Sequence, residues 1–167
     1  MRCSVCGVDH PIEEIEPAFA RPDAYVTLSS EHREANAKAN EDLCRIDDPA
    51  GGVPRQFVRA VLPVNVEDRN VPIRWGLWVE VSEDAFRRIL ELWSVAEQAS
   101  EPPIAATLAN HIPSYPETVG LACWLHLTGP TTRPSIALPE HIDHPLASEY
   151  RSGVSAHRAI EWAHLFA

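Results

Sequence analysis

Glycine is scarce in this chain, with seven in 167 residues. Loops that cradle phosphates set glycines at fixed spacing, and neither G-x-x-x-x-G-K-[ST] nor G-x-G-x-x-G occurs. G-x-S-x-G and H-E-x-x-H are missing too, and no nucleophile stands beside an evident base. Positive charge is also short: 14 Lys and Arg face 24 Asp and Glu, a net charge of −10. A nucleic-acid binder neutralises phosphates with a basic stripe, and none is present. Anionic membrane surfaces are disfavoured for the same reason. No run approaches the roughly 18 apolar residues of a membrane span. Residues 1–20 lack the apolar stretch of a signal peptide, and Glu13, Glu14 and Glu16 fall where it would sit. The expectation is a cytosolic chain, where structural disulfides are rare.

What the chain does hold is a globular composition, 45% hydrophobic. Its length fits a single domain. Fifteen prolines cluster between apolar runs and read as loop punctuation. Residues 29–43, SSEHREANAKANEDL, read as a polar helix capped by Ser29 or Ser30. QFVRAVLPVNVED (56–68) reads as a strand, with Pro63 marking an edge or a bulge. IRWGLWVEV (73–81) alternates cleanly: Ile73, Trp75, Leu77, Val79 and Val81 share one face, and Arg74, Gly76, Trp78 and Glu80 the other. The two strands imply a hairpin.

Ser82 is placed to cap a helix over 82–100, with Phe86, Ile89, Leu90, Trp93 and Ala96 along one side. Further strands are expected at 118–128 and 133–138. Two helices close the chain, the first capped by Asp143 with Pro145 in its first turn, the second capped by Ser155. Strands that follow one another without βαβ alternation argue for an α+β fold. The expected architecture is a largely antiparallel sheet of about four strands packed with helices. A knuckle-like segment (1–12) precedes the α+β body (13–167).

Cys3 and Cys6 form a C-x2-C followed by Gly7, the shape of a zinc knuckle whose turn aims backbone amides at two sulfurs. A tetrahedral zinc needs four ligands, and no second C-x2-C supplies them. His10, Cys44 and, less well, His32 are available. Zinc held by Cys3, Cys6, His10 and Cys44 would pin the N-terminus. Two other readings stay open: a redox pair, for which Pro11 and the acids after it are a poor context, and two unliganded thiols. In PEHIDHPL (139–146), His141, Asp143 and His144 are similar to a hydrolase metal motif with one histidine replaced by Pro139. Helix capping explains those residues more simply. His157, Glu161 and His164 share one helical face, the spacing of metal ligands and also of a wet surface. Trp78 and Trp124 lie opposite the core face of their strands, where helices cover them or they form an aromatic patch.

Together these segments resemble a bacterial family of uncharacterised proteins, domain of unknown function 2199. The matching pieces are CSVCGVDH, EDLCRID (41–47), FVRAVLPVNV (57–66), WGLWVEVSEDAF (75–86), LANHIPSYPET (108–118), RPSIAL (133–138) and HPLASEYRSGVS (144–155). The resemblance implies a single bacterial domain with no settled activity, and it supports treating Cys3, Cys6, His10 and Cys44 as one constellation. One departure is visible: IAAT (104–107) stands where the family carries aromatic-Gly-Trp. The functional reading is a non-enzymatic binding or regulatory protein with a structural zinc clip. Net charge makes a basic protein the expected partner. The alternative is a metal-dependent hydrolase built on His141, Asp143 and His144.

Overall fold

The computed structural model describes residues 16–67 and 69–165. Two short helices, α1 (Asp23–Val26) and α2 (Ser30–Asn36), precede the strands β1 (Ala37–Ala39), β2 (Leu43–Ile46), β3 (Arg55–Val64) and β4 (Ile73–Val81). Helix α3 (Glu83–Leu92) and a 3-10 turn (Ala96–Ser100) lead to β5 (Ile104–Leu108), β6 (Ala122–His126) and β7 (Ser135–Ala137). Helices α4 (Pro145–Ser152) and α5 (Ala156–His164) follow.

The expected largely antiparallel sheet of about four strands packed with helices is corrected. Five strands, β3 to β7, close a mixed barrel, with β1 and β2 as an extension. Closure comes from β7, antiparallel to β6 on one side and parallel to β3 on the other through the pair Val61 and Ser135. β3 serves two partners on that edge, β2 against residues 55–58 and β7 further on. The amides of Arg59 and Val61 donate across it to the carbonyls of Asp42 (2.8 Å) and Pro134 (2.8 Å). Pro63 is next in that row and has no N–H to give, so the parallel pairing ends there.

β4 forms where the alternation placed it, and its register with β3 assembles the core. Val58 faces Val79, Ala60 faces Leu77, Leu62 faces Trp75 and Val64 faces Ile73. All eight are buried in one cluster with Leu108, Leu125 and Ile136 from the other barrel strands. Burying each Val, Leu or Ile side chain contributes roughly 1.5–3 kcal/mol relative to exposure.

Serine caps mark helix starts as expected, whereas the ends of α2 and α3 fall short of the expected ones. Ser82 accepts from the Ala85 amide at 3.2 Å, and α3 buries Phe86, Ile89 and Leu92. It stops at Leu92 rather than 100, and Leu90 is exposed. There the buried Gln98 donates its Nε2 to the carbonyls of Leu92 (3.0 Å) and Trp93 (3.2 Å), satisfying groups the helix leaves open. Ser29 caps α2 through the His32 amide, but the helix ends at Asn36. Residues 37–39 have helical propensity and instead pair with 44–46, the ladder winning over a weak local preference. At α4 the cap is His144, whose Nδ1 accepts from the Leu146 amide at 3.1 Å, in place of the expected Asp143. Ser155 caps α5 as expected.

A second, smaller core lies outside the barrel wall, where Cys44, Ile46, Phe57, Trp78 and Ala109 are covered by Phe19, Ala24, Tyr25 and Leu28. The strap at residues 17–19 lies on Gly76, whose N–H donates to Pro17 O (2.9 Å) and whose carbonyl accepts from Phe19 N (2.9 Å). A Cβ at Gly76 would sit 2.8 Å from the Cβ of Ala18. Gly76→Ala is therefore expected to destabilise by about 1–3 kcal/mol, the usual range for overpacking, measured by urea unfolding. An unchanged midpoint would mean that the strap yields freely.

Candidate functional site

The outer face of the β3–β4 hairpin carries Arg59, Val61, Arg74 and Gly76 opposite the barrel core. With Arg133 from the loop before β7 they line a cleft of about 610 Å3. Its walls are the strap (Glu16, Ala18), Asp42 in the turn between β1 and β2, Trp93 at the end of α3, and Pro130 to Thr132. Gly129, at φ 132, turns this last loop, and Thr128 Oγ1 holds it by a 2.8 Å contact with Thr132 Oγ1 and a bond to Arg133 O (2.9 Å).

Three arginines thus line one cleft in a chain of net charge −10. Arg133 Nε lies 2.7 Å from Asp42 Oδ1, both side chains partly exposed. Among the described residues the Arg59 side chain makes only a long contact, Nη1 to Glu41 O at 3.5 Å, and its buried Nε has no partner. Burial holds the Arg59 guanidinium below its ordinary pKa, and Arg133 and Arg21 push the same way, against Asp42 and Glu41. A buried donor without an acceptor costs about 1–3 kcal/mol, more when charged. An anion seated in the cleft would meet the remaining nitrogens of this guanidinium, of which Nη1 has only the long contact. Among the described residues the lining contains no cysteine, histidine, lysine or serine.

The expected sites fare differently. Cys3, Cys6 and His10 lie outside the described residues. Cys44, on β2, is buried, and burial pushes its thiol up to about 11, with Arg21 pulling down. It borders a second cleft of about 330 Å3. His32 sits on α2. His141 and Asp143 are exposed whereas His144 is buried and occupied in capping. His157 and Glu161 lie 3.7 Å apart, and His164 is exposed. Among the described residues no group of three or more His, Cys, Asp and Glu could hold a metal ion, so the hydrolase alternative is not favoured. Trp78 is fully buried, its Nε1 donating to Phe19 O at 3.1 Å, while Trp124 is exposed on β6. β5 separates their strands, so they form no joint patch.

Sequence reasoning missed the cleft. Its signal was present in part, since Arg59 and Arg74 both fall on the non-core face of adjacent strands. Arg133 enters only through the barrel closure. The variable stretch 104–107 is β5 and contributes nothing to the lining.

The fold and site define a small closed barrel with an arginine-lined cleft on its outer wall. The chain belongs to a family described as uncharacterized protein conserved in bacteria (DUF2199), whose profile matches residues 2–154. No curated protein and no solved structure matches the chain. Among the described residues no helix is long and apolar enough to cross a membrane.

Proposed function

We propose that this protein is a non-enzymatic binding protein whose ligand is an anion held in the arginine cleft. The observation that carries this reading is the lining: Arg59, whose side chain makes only one long hydrogen bond among the described residues, shares the cleft with Arg74 and Arg133. The stretches EDLCRID, FVRAVLPVNV, WGLWVEVSEDAF and RPSIAL, which carry the family resemblance, each send a residue into it. The basic partner first expected rests on net charge alone, whereas this cleft is lined by three arginines and two acids.

Pyrophosphate, citrate and sulfate titrated by calorimetry test the reading. At least one should bind, more weakly at higher salt. Arg59→Gln should lower that affinity roughly 10–100-fold, the range for a charge-assisted hydrogen bond. Because the substitution also relieves repulsion from Arg133 and Arg21, the variant should melt no lower than the parent. No heat from any anion at millimolar concentration would reject the reading.

A structural zinc held by Cys3, Cys6, His10 and Cys44 belongs to the same proposal, with the C-x2-C-G spacing as its support. The ion would have to displace the proton that burial keeps on Cys44. Elemental analysis of untagged protein should find about one zinc per chain, lost in Cys44→Ser with a lower melting temperature. Zinc retained in that variant would remove Cys44 from the set, and none in the parent would reject the clip.

A further inference from the structure

We infer that the anion is a phosphate monoester carrying a planar ring, the chemistry of a nucleoside monophosphate; this rests on the anion-binding reading above. Three observations lead there. The first is the number and origin of the donors. One bidentate arginine saturates a carboxylate, as Arg55 does for Glu80 at 2.8 and 2.6 Å on this same surface. The cleft is instead lined by arginines from β3, β4 and the loop before β7, with Thr131 and Thr132 alongside. Donors arriving from several directions suit a tetrahedral anion with three terminal oxygens and a charge near −2.

The second is space. About 610 Å3 is far more than a phosphate fills and falls in the range of small-molecule sites. The ligand therefore has an organic part. The third is the remaining lining. Trp93 stands half-buried in the wall, with Val61, Ala18 and Pro130 as further apolar surface, a place for a flat ring to stack. Glu16 and Asp42 can only accept when ionised, so the organic part carries hydroxyl or amino donors. A sugar and a base supply both.

Asp42 also acts as a built-in competitor. Its bond to Arg133 occupies one of the three guanidinium groups, and its backbone carbonyl ties the β1–β2 turn to Arg59. A phosphate reaching Arg133 takes the place of this carboxylate, and a singly charged ligand is the weaker rival.

Calorimetry with inorganic phosphate, ribose 5-phosphate and adenosine 5′-monophosphate tests this on the unmodified chain. The ring-bearing ester should bind at least about tenfold tighter than ribose 5-phosphate, the scale of one base stacked on an aromatic side chain. Trp93→Leu keeps an apolar contact with the core and should erase that difference while leaving ribose 5-phosphate unaffected. Arg59→Gln should weaken both esters together. Equal affinities for the two esters in the parent, or a preference that survives Trp93→Leu, would overturn the ring. Citrate binding without any phosphate binding would overturn the phosphate and leave the anion site standing. Silence from every anion would overturn both.

Discussion

Truncating Trp162 to alanine is expected to lower the unfolding free energy by about 3–5 kcal/mol, read from the midpoint of a urea transition. Whole domains of this kind are stable by only about 5–15 kcal/mol, so the variant should sit close to unfolding at 37 °C. The reason lies in what α5 does. It has nine residues, too few to be helical alone, and depends on the face it packs. That face is Ala159 and Trp162, both fully buried. The Trp162 ring meets Trp75 of β4 edge to face, centroids 5.2 Å apart at 67°, and Arg158 lies over its other side at 5.8 Å. Removing the indole leaves a cavity beside the largest core residue of the barrel. Trp162→Phe separates packing from polarity. Among the described residues the buried Trp162 Nε1 has no partner, so phenylalanine loses nothing there and keeps a ring against Trp75. Its cost should stay below about half that of alanine, since only part of the volume is lost. The family profile ends at residue 154, before α5, yet the core does not. Removal of residues 156–167 should therefore mimic the alanine variant or exceed it.

The parts of this fold legible beforehand were those set by neighbours in sequence. β4 was readable because a two-residue period over nine positions has no helical counterpart, and the starts of α2, α3 and α5 because a serine cap acts within three residues. β5 was not, since IAATL offers two alanines and little alternation, and its pairing with β4 and β6 is what makes it a strand. β1 hid inside a helix-like composition for the same reason. The closure of β7 on β3 joins residues 61 and 135, and nothing local to either marks it. The cleft inherits that opacity. Two of its arginines lie on one hairpin face, but the third, and Asp42, arrive through the closure and the β1–β2 turn. The core face of β4 was correct throughout, whereas the other face divides among three surroundings: Gly76 under the strap, Trp78 in the second core and Arg74 in the cleft.

Asn110→Ala should cost about 3 kcal/mol or more, and it would do so without removing any apolar contact. β4 uses its free edge in three ways: β5 pairs with Val79 to Val81, the strap takes Gly76, and between them Trp78 needs a partner. Asn110 provides it. Its Oδ1 accepts from the Trp78 amide at 2.8 Å, while Nδ2 donates to Arg21 O and Asp23 Oδ1, both at 2.9 Å. Asp23 in turn accepts from the His111 amide at 2.7 Å, and Thr118 Oγ1 donates to Asn110 O at 2.7 Å. One side chain, 1% exposed, therefore joins the barrel edge to the segment between the strap and α1 and to the loop after β5. Alanine strands the Trp78 N–H and the Arg21 carbonyl in the interior, at roughly 1–3 kcal/mol for each group left unmade. Asn110→Asp sharpens the test, because it keeps the size and the acceptor for Trp78. It forfeits both donated bonds and sets a second carboxylate against Asp23. Burial and Asp23 would raise the introduced carboxyl's folded pKa above its unfolded value near 4. Its penalty is then full at neutral pH, shrinks as pH falls through the folded pKa, and is smallest once the group is protonated in both states. Compared at each pH with Asn110→Ala, the aspartate variant should gain ground on acidification. Parallel curves for the two would mean that water has taken over the donated bonds, and that the strap is held by Gly76 and Trp78 alone.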